Sequence, residues 1–311
     1  MGFPGRAKPR IVVILGPTGV GKTAMALALA GRLGGEIISA DSMQVYRGMD
    51  IGTAKPTPEE RLLIPHHLLD VVDPDEPFDA SRYCTLARGI VDCLQGEGKP
   101  VFVVGGAGLY IRALLGGLID GPGADESLRQ SLKDEGKRRG TSHLYDKLQA
   151  RDPLAAQGIS PHDAIRIIRA IEVLELTGRS IVNHQRDHRF LTQPYEVLKI
   201  GLMLAREELL VRIDGRAERM IAAGFVGEVK RLLDKGYDRS LKPMQSLGYR
   251  HLTAYLSGEV DLDGAIRLIK HDTRRYAKRQ MTWFATDREI LWLAPDDIDA
   301  AAERVGRFLG R

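Results

Sequence analysis

The sequence predicts an α/β protein whose parallel sheet is flanked by helices, with an inserted helical domain. Three observations predict this architecture: short apolar strands alternate with helical segments, a glycine-rich turn joins the first strand to the first helix, and a second group of helices interrupts the pattern after Leu114. Strands that helices cover on both faces are continuously apolar, as these are. At roughly 100–200 residues per domain, 311 residues suffice for two domains.

The elements of the core follow in chain order. A run of high helix propensity, Thr23–Leu33, comes after the first strand and its turn. Residues 50–76 hold four prolines and few long periodic runs, so they are expected to be irregular. Apolar runs predict four strands of the sheet, at Ile11–Leu15, Glu36–Ala40, Val101–Val104 and Lys199–Leu204.

Glycines and prolines after Leu114 indicate the start of the inserted domain. Helical patterns then recur near Asp125–Arg139, Ser142–Ala150 and Pro161–Leu176. The predicted boundaries assign residues 1–113 and 196–311 to the core and residues 114–195 to the insertion.

Charge and cysteine content narrow the class of protein. There are 45 Lys and Arg against 41 Asp and Glu, a net charge of +4, and the pI of about 9.0 suggests an anionic partner. Two cysteines exclude a disulfide framework and a four-ligand zinc cluster. The short basic N-terminus is unlike a secretion signal, and the longest apolar stretch carries Arg112 and five glycines. A cytoplasmic protein without a membrane span is expected.

The turn after the first strand matches the phosphate-binding pattern G-x-x-x-x-G-K-[ST], the P-loop. Its glycines let backbone N–H groups surround phosphate oxygens, and the helix N-terminus adds partial positive charge. Lys22 would neutralise a terminal phosphate, and Thr23 would ligate Mg²⁺. The motif predicts a P-loop NTPase-like fold with a phosphate site formed by Gly16, Pro17, Thr18, Gly19, Val20, Gly21, Lys22 and Thr23.

The strand that ends at Val104 lacks a carboxylate that is common in NTP-hydrolysing P-loop proteins. These commonly hold Mg²⁺ with a carboxylate at the end of a neighbouring strand. Glycines follow Val104 instead, which favours a phosphate ligand without ordinary NTP hydrolysis. Asp41 follows the second strand, at the carboxyl edge where open α/β folds bind ligands. The alternative for a lone Asp at this position is a turn or cap residue.

A basic segment, residues 266–282, holds six Lys and Arg but one Asp, a net charge of +5. Its cations recur at steps of three and four, which predicts an acid-free helical stripe that contacts a phosphate backbone. A solvated helix face is the alternative. The stripe consists of Arg267, Lys270, His271, Arg274 and Lys278.

Several motifs, in order from about Ile11 to Leu293, resemble those of the tRNA dimethylallyltransferases. Besides the P-loop they are Asp41–Pro56, Pro65–Leu68, Gly105–Tyr110, Arg166–Leu176, Gln245–Arg250 and Tyr276–Phe284. The resemblance implies transfer of a dimethylallyl group from dimethylallyl diphosphate to the exocyclic N6 amine of the adenosine 3′-adjacent to the anticodon in tRNA, releasing diphosphate. It also implies Mg²⁺ as cofactor, and the enzyme is expected to be a monomer.

The resemblance implies roles for individual residues. Asp41 matches the family's general base, which takes a proton from the weakly nucleophilic adenine amine. Lys22 and Mg²⁺ on Thr23 neutralise the leaving diphosphate. Arg216 matches the family's catalytic arginine, whereas Arg212 is expected to be a solvated helix residue. The expected catalytic set is Asp41, Thr18, Lys22 and Arg216.

The resemblance further assigns the inserted domain to the anticodon stem-loop of tRNA. The family has Thr where this chain has Ala107, so a contact from Ala107 would be apolar or through the backbone. The expected tRNA contacts are Asp41, Ser42, Met43, Gln44, Ala107, Arg129, Arg166, Arg169, Gln245, Gly248, Tyr249, Arg250, Arg274, Lys278, Arg279 and Gln280.

Three other functions remain open from the residues alone. An adenylate isopentenyltransferase acting on free adenine nucleotides would share the P-loop and the aspartate, but the insertion and the basic stripe favour a macromolecular acceptor. A small-molecule P-loop kinase would need the strand-end carboxylate that the chain lacks. A non-catalytic RNA-binding module leaves Lys22, Thr23 and Asp41 unexplained.

Overall fold

The computed structural model describes residues 8–117, 122–123, 125–188 and 193–311. The basic N-terminal residues 1–7 lie outside this part of the chain. Two compact units emerge, Met1–Leu115 with Pro194–Arg311, and Gly116–Gln193. These limits differ from the predicted boundaries by two residues at each end of the insertion.

The first unit is built on a parallel sheet with the strand order β3-β2-β4-β1-β5-β6. In the described residues its strands are β1 Arg10–Leu15, β2 Glu36–Ala40, β3 His66–His67, β4 Val101–Gly105, β5 Glu196–Leu202 and β6 Leu291–Leu293. Its helices are α1 Lys22–Leu33, α2 Pro58–Leu63, α3 Ala80–Gly96, α4 Gly108–Gly116, α10 Arg206–Ala222, α11 Phe225–Asp234, α12 Tyr249–Leu256, α13 Leu262–Phe284 and α14 Ile298–Leu309. The second unit contains α5 Glu126–Arg139, α6 Thr141–Arg151, α7 Pro153–Ala156, α8 Ala164–Thr177 and α9 Ile181–His188.

The predicted fold class is confirmed, with three corrections to the elements. The strand expected at Lys199–Leu204 runs instead from Glu196 to Leu202, because its first six residues pair with β1. Residues 50–76 are not wholly irregular: Thr57 and Glu60 form a capping box that starts α2, and β3 extends the edge of the sheet. The three-residue β6 and the short α7 are too brief for a periodic pattern to reveal.

Two apolar layers cover the sheet because successive side chains of a strand face opposite sides. On β1, Ile11, Val13 and Leu15 belong to one buried cluster, and Val12 and Ile14 to the other. The first cluster includes residues of α3, α11 and α12, and the second joins α1 to α14. Helices therefore lie on both faces, which leaves the carboxyl ends of the strands as the open edge.

The helical unit has its own apolar core, formed by residues of α5, α6, α7 and α8. At the edge of this core Glu172 is 0 % exposed. Its carboxylate accepts hydrogen bonds from Arg129 (3.0 Å), Arg169 (2.5 Å) and the backbone N–H of Asp125 (2.8 Å). These partners offset the cost of burying a charge. Across both units, the part of the chain described here contains no helix with the length and hydropathy of a membrane span.

Candidate active site

The P-loop lies between β1 and α1, as the sequence predicts. Gly16 has φ of 144°, and a Cβ there would lie 2.7 Å from the carbonyl oxygen of Leu202 on β5. Glycine is therefore required for the loop to pass the neighbouring strand. Lys22 opens the helix, and its Nζ donates to the carbonyl of Pro17 at 2.8 Å, which folds the side chain back over the loop.

The end of β4 explains why no carboxylate stands there. A Cβ at Gly105 would lie 2.8 Å from the Cα of Ala40 and still closer to its carbonyl oxygen. A Cβ at Gly106 would overlap the amide of Gln280, a residue of α13. That amide bridges two loops: its oxygen accepts from the Thr18 N–H at 2.8 Å, and its nitrogen donates to the Gly106 carbonyl at 3.0 Å. A side chain on Gly106 would displace this bridge, and one on Gly105 would clash with the backbone of β2.

Two cavities open at the carboxyl edge of the sheet. The smaller, of about 120 Å³, is lined by Lys22 and Thr23 and by residues of β2 and β4. The larger, of about 320 Å³, is mostly apolar and is lined by residues of α10, α11, α12 and α13. The residues that line both cavities are Thr18, Asp41, Thr53, Arg216 and Tyr276. Groups bound in the two cavities would therefore meet at these five side chains.

Asp41 is oriented by the turn that follows β2. Its Oδ1 accepts hydrogen bonds from the backbone N–H groups of Met43 (2.8 Å) and Gln44 (3.3 Å). Asp41 is therefore a turn residue, the alternative that the sequence left open. The turn uses only its Oδ1, and the residue also lines both cavities. A carboxylate fixed in this way presents a proton acceptor at the place where the cavities join.

Two cations stand opposite this carboxylate. Burial and, to a smaller extent, the positive charge of Arg216 lower the pKa of Lys22 to about 7, and Asp41 opposes both effects. Burial likewise lowers the pKa of Arg216, whose Nη1 donates to the Thr18 hydroxyl at 3.3 Å. Two desolvated cations beside one carboxylate form a site that is complementary to a multiply charged anion. Arg212, by contrast, is partly exposed and pairs with Glu208 at 2.8 Å.

The residues expected to contact tRNA divide between the cavities and the surrounding structure. Gln44 and Gln280 line the smaller cavity, and Ala107 donates its N–H to the Ala40 carbonyl at 3.1 Å. Gln245 is exposed, and its amide donates to the Arg239 carbonyl at 2.6 Å. The larger cavity is lined by Ser42, Met43, Gly248, Tyr249, Arg250 and Arg279.

Tyr249 is held by a buried hydrogen bond to a carboxylate. Its side chain is 0 % exposed, and its hydroxyl donates to Glu228 at 2.6 Å. Burial and the nearby Glu228 carboxylate raise the pKa of Tyr249 well above its usual value, so the hydroxyl remains a donor. The aromatic ring is part of the core and lines the larger cavity, and a tRNA contact by Tyr249 stays a prediction.

The stripe predicted on α13 has acidic partners on a neighbouring helix, and its contact with a phosphate backbone stays a prediction. Lys270 pairs with Glu218 at 2.5 Å, and Arg274 pairs with Asp214, both acids lying on the neighbouring α10. Helical spacing reveals only the charges of one helix, whereas these acids come from another. Beyond the paired residues, α13 exposes Arg275, Lys278 and Arg279, and in the described residues neither Arg275 nor Lys278 forms an ion pair.

The candidate arginines of the helical unit are already engaged. Arg129 and Arg169 hold the buried carboxylate of Glu172, although both remain partly exposed. Arg166 is exposed and lies 3.4 Å from Asp163. A tRNA contact by these residues stays a prediction, and only Arg166 is free of the Glu172 cluster.

Sequence reasoning assigned no individual role to several polar residues of the site, among them Tyr276, Thr53 and His66. Tyr276 is the first of these. It lines both cavities, and burial, with Asp41 adding to the effect, raises its pKa above the usual range. Its position four residues before Gln280 on one helix was the available signal. His66 lines the smaller cavity, and its Nδ1 bonds to the Ile64 carbonyl at 2.7 Å.

The fold and the site together define an α/β protein of the P-loop type whose anion site opens into an apolar cavity. The chain belongs to the IPP transferase family, whose model matches residues 44–287, and an isopentenyl transferase model matches residues 9–66. It is 55 % identical to tRNA dimethylallyltransferase 2 of Syntrophus aciditrophicus over 97 % of each chain. It is 50 % identical to the tRNA dimethylallyltransferase of Geobacter metallireducens over 97 % of this chain and 98 % of that protein.

Solved structures agree with this family. The full-length tRNA isopentenylpyrophosphate transferase from Bacillus halodurans superposes with a TM-score of 0.73 at 40 % identity, over 97 % of both chains. A eukaryotic dimethylallyltransferase, whose structures capture it acting on tRNA, gives a TM-score of 0.77 at 27 % identity, over 96 % of this chain and 77 % of that one.

Proposed function

We propose that this protein transfers a dimethylallyl group from dimethylallyl diphosphate to the N6 amine of the adenosine 3′-adjacent to the anticodon in tRNA, releasing diphosphate. Membership of the IPP transferase family and relatives named tRNA dimethylallyltransferases support tRNA prenylation. The observation that carries the proposal is the meeting of the two cavities at Asp41, Thr18 and Arg216.

The smaller cavity suits the diphosphate. Backbone N–H groups of the P-loop, Lys22 and Arg216 surround a space in which Asp41 is the one acid among the described lining residues. As the bond between the allylic carbon and the diphosphate oxygen breaks, these cations stabilise the negative charge that develops on the leaving group. The apolar larger cavity accommodates the dimethylallyl chain and the adenine base.

Asp41 acts on the other reactant. The exocyclic amine of adenine forms the new bond to the allylic carbon, and the proton it loses passes to the Asp41 carboxylate. The base must leave the stack of the anticodon loop to reach this depth, which costs least in a single-stranded loop. Thr18, which touches both Arg216 and Gln280, keeps the P-loop in register with the carboxylate.

The smaller cavity also fits Mg²⁺ as the cofactor. The Thr23 hydroxyl supplies an oxygen donor, the type that Mg²⁺ prefers. Within the described residues no group of three His, Cys, Asp or Glu side chains could form a protein cage. Oxygens of the diphosphate would therefore complete the coordination. Mg²⁺ bound there neutralises charge on the diphosphate.

The same proposal covers the partners. The anticodon stem-loop would contact the exposed cations of α13 and the helical unit, with Lys278, Arg279 and Arg166 as the exposed candidates. The protein is proposed to act as a monomer. A tRNA substrate implies work in the cytoplasm.

One experiment tests the function against its alternatives. The protein is incubated with Mg²⁺, dimethylallyl diphosphate and either unmodified tRNA or free adenosine monophosphate. The products are converted to nucleosides, whose masses are measured by mass spectrometry. We expect a five-carbon gain on one adenosine beside the anticodon, lost in Lys22→Ala and kept in Lys230→Ala, which changes an exposed helix lysine. Gain on the free nucleotide alone would establish the adenylate alternative, and phosphate transfer from ATP without prenylation would establish the kinase.

A further inference from the structure

A buried carboxylate outside the reacting groups holds one wall of the site. Glu228 on α11 is 2 % exposed, and its four hydrogen-bond donors belong to a turn and to α12. Its Oε2 accepts from the N–H groups of Asp50 (2.9 Å) and Ile51 (2.7 Å), and its Oε1 from the N–H of Gly52 (3.0 Å) and the Tyr249 hydroxyl (2.6 Å). In the described residues it forms no ion pair, so these donors alone offset its desolvation.

The turn that Glu228 anchors, residues 50–54, is gripped from its other side by Gln44. The Gln44 amide donates to the carbonyls of Thr53 (3.2 Å) and Ala54 (3.1 Å), and its oxygen accepts from the Ser39 hydroxyl at 2.9 Å. The backbone N–H of Gln44 in turn donates to Asp41. A continuous set of hydrogen bonds therefore runs from Glu228 through the turn to the carboxylate that faces both cavities.

The turn itself forms part of the cavity walls. Gly52 lines the larger cavity, and Thr53 lines both. A Cβ on Gly52 would overlap the ring of Phe225 and lie 2.6 Å from that of Tyr249, so the turn is packed directly against α11 and α12. A shift of this turn would move Thr53 and change the direction of the Gln44 amide.

We propose that Glu228 is a positioning residue for the transfer reaction, which fixes the turn 50–54 and, through Gln44, the orientation of Asp41. This inference rests on the proposed function. It does not place Glu228 in contact with either substrate. It states that the geometry of the reacting groups depends on a carboxylate with two acceptor oxygens at position 228.

The chemistry of the site makes Glu228→Gln an informative variant. Glutamine has nearly the same size, but its NH₂ group donates and cannot accept. In one orientation this group would face the N–H groups of Asp50 and Ile51, and in the other it would face the N–H of Gly52 and the Tyr249 hydroxyl. Asp234→Asn is the matched control, because it removes the same charge from an exposed position on the same helix. Displacement of reacting groups by a fraction of an ångström to 1 Å lowers rates by about 10- to 100-fold.

The experiment measures the single-turnover rate of prenyl transfer to tRNA at saturating concentrations of both substrates. We expect a loss of about 10-fold or more in Glu228→Gln, with tRNA affinity nearly unchanged, and no more than a twofold change in Asp234→Asn. Hydrogen exchange should show faster exchange of the amides at 50–52 in Glu228→Gln alone. A second pair, Gln44→Ala alone and combined with Glu228→Gln, should give a combined loss smaller than the product of the two.

The outcomes separate the inference from the proposed function. If the wild-type protein does not prenylate tRNA, the proposed function fails. If the wild type is active and a folded Glu228→Gln reacts as fast as Asp234→Asn, or if the two losses multiply, the positioning role is refuted and the function stands. Should Glu228→Gln melt below the assay temperature, Tyr249→Phe removes one of the four donors, and a rate equal to wild type would overturn the inference.

Discussion

The charge of Lys22 should couple diphosphate binding to proton uptake. Burial and Arg216 lower its pKa to about 7, so the free protein carries a mostly neutral Lys22 at pH 8. A bound diphosphate places negative charge beside the amine and restores the ammonium form. With a free pKa near 7, binding should take up about 0.9 proton at pH 8 and about 0.1 proton at pH 6.

The sign of the pH effect on affinity follows from the same linkage. Because the protonated form binds diphosphate, affinity should fall about tenfold per pH unit above pH 7 until the pKa of the bound state is reached. Titration calorimetry in two buffers of different ionisation enthalpy measures the proton uptake directly. Lys22→Met is the reference, since it retains most of the side chain but cannot be protonated. Proton uptake measured with this variant reports the ionisation of the ligand itself and is subtracted from the wild-type value. Equal proton uptake in the two proteins at pH 8 would refute the reasoning.

Three further outcomes are expected from single substitutions. Asp41→Asn keeps the acceptor for the turn but not the basic carboxylate, so single-turnover rates should fall by about 10²-fold or more while both substrates still bind. Gly105→Ala would drive a methyl group into the backbone of Ala40 and should cost at least the 1–3 kcal/mol typical of overpacking, measured by denaturant unfolding. Lys278→Gln should lower the salt-dependence slope of tRNA binding by about 0.7–0.9, whereas Lys270→Gln, whose lysine already pairs with an acid, should change it little.

Each of these has a result that would count against it. A near-normal rate for Asp41→Asn would leave that residue as a turn residue only. Gly89→Ala on α3, where nothing lies within 4 Å of a new Cβ, is the control for Gly105→Ala, and equal stability of the two variants would contradict the packing argument. Equal salt-dependence slopes for the two lysine variants would mean that Lys270 contacts tRNA despite its ion pair with Glu218 of α10.

The sequence was most informative where a function depends on residues close together in the chain. Every predicted strand formed, because apolar runs covered on both faces leave little choice of structure. The P-loop and Asp41 were found because glycine spacing and the end of a strand are local features. The residues that support them are distant: the Thr18 N–H is held by Gln280, 262 positions away. No local pattern could indicate that pairing.

Helix α13 shows why the remaining part of the site required the fold. Its spacing predicted a basic stripe that includes Lys278, which is exposed, whereas Gln280 lies on the buried side of the helix. The charge of that stripe was overestimated, because the acids that neutralise Lys270 and Arg274 lie on α10. The helix therefore contributes Tyr276, Gln280 and Arg279 to the cavity walls, while a short exposed portion of its basic face is left for an anionic partner. Position along one helix sets which side a residue faces, but its available charge is set by the neighbouring helix.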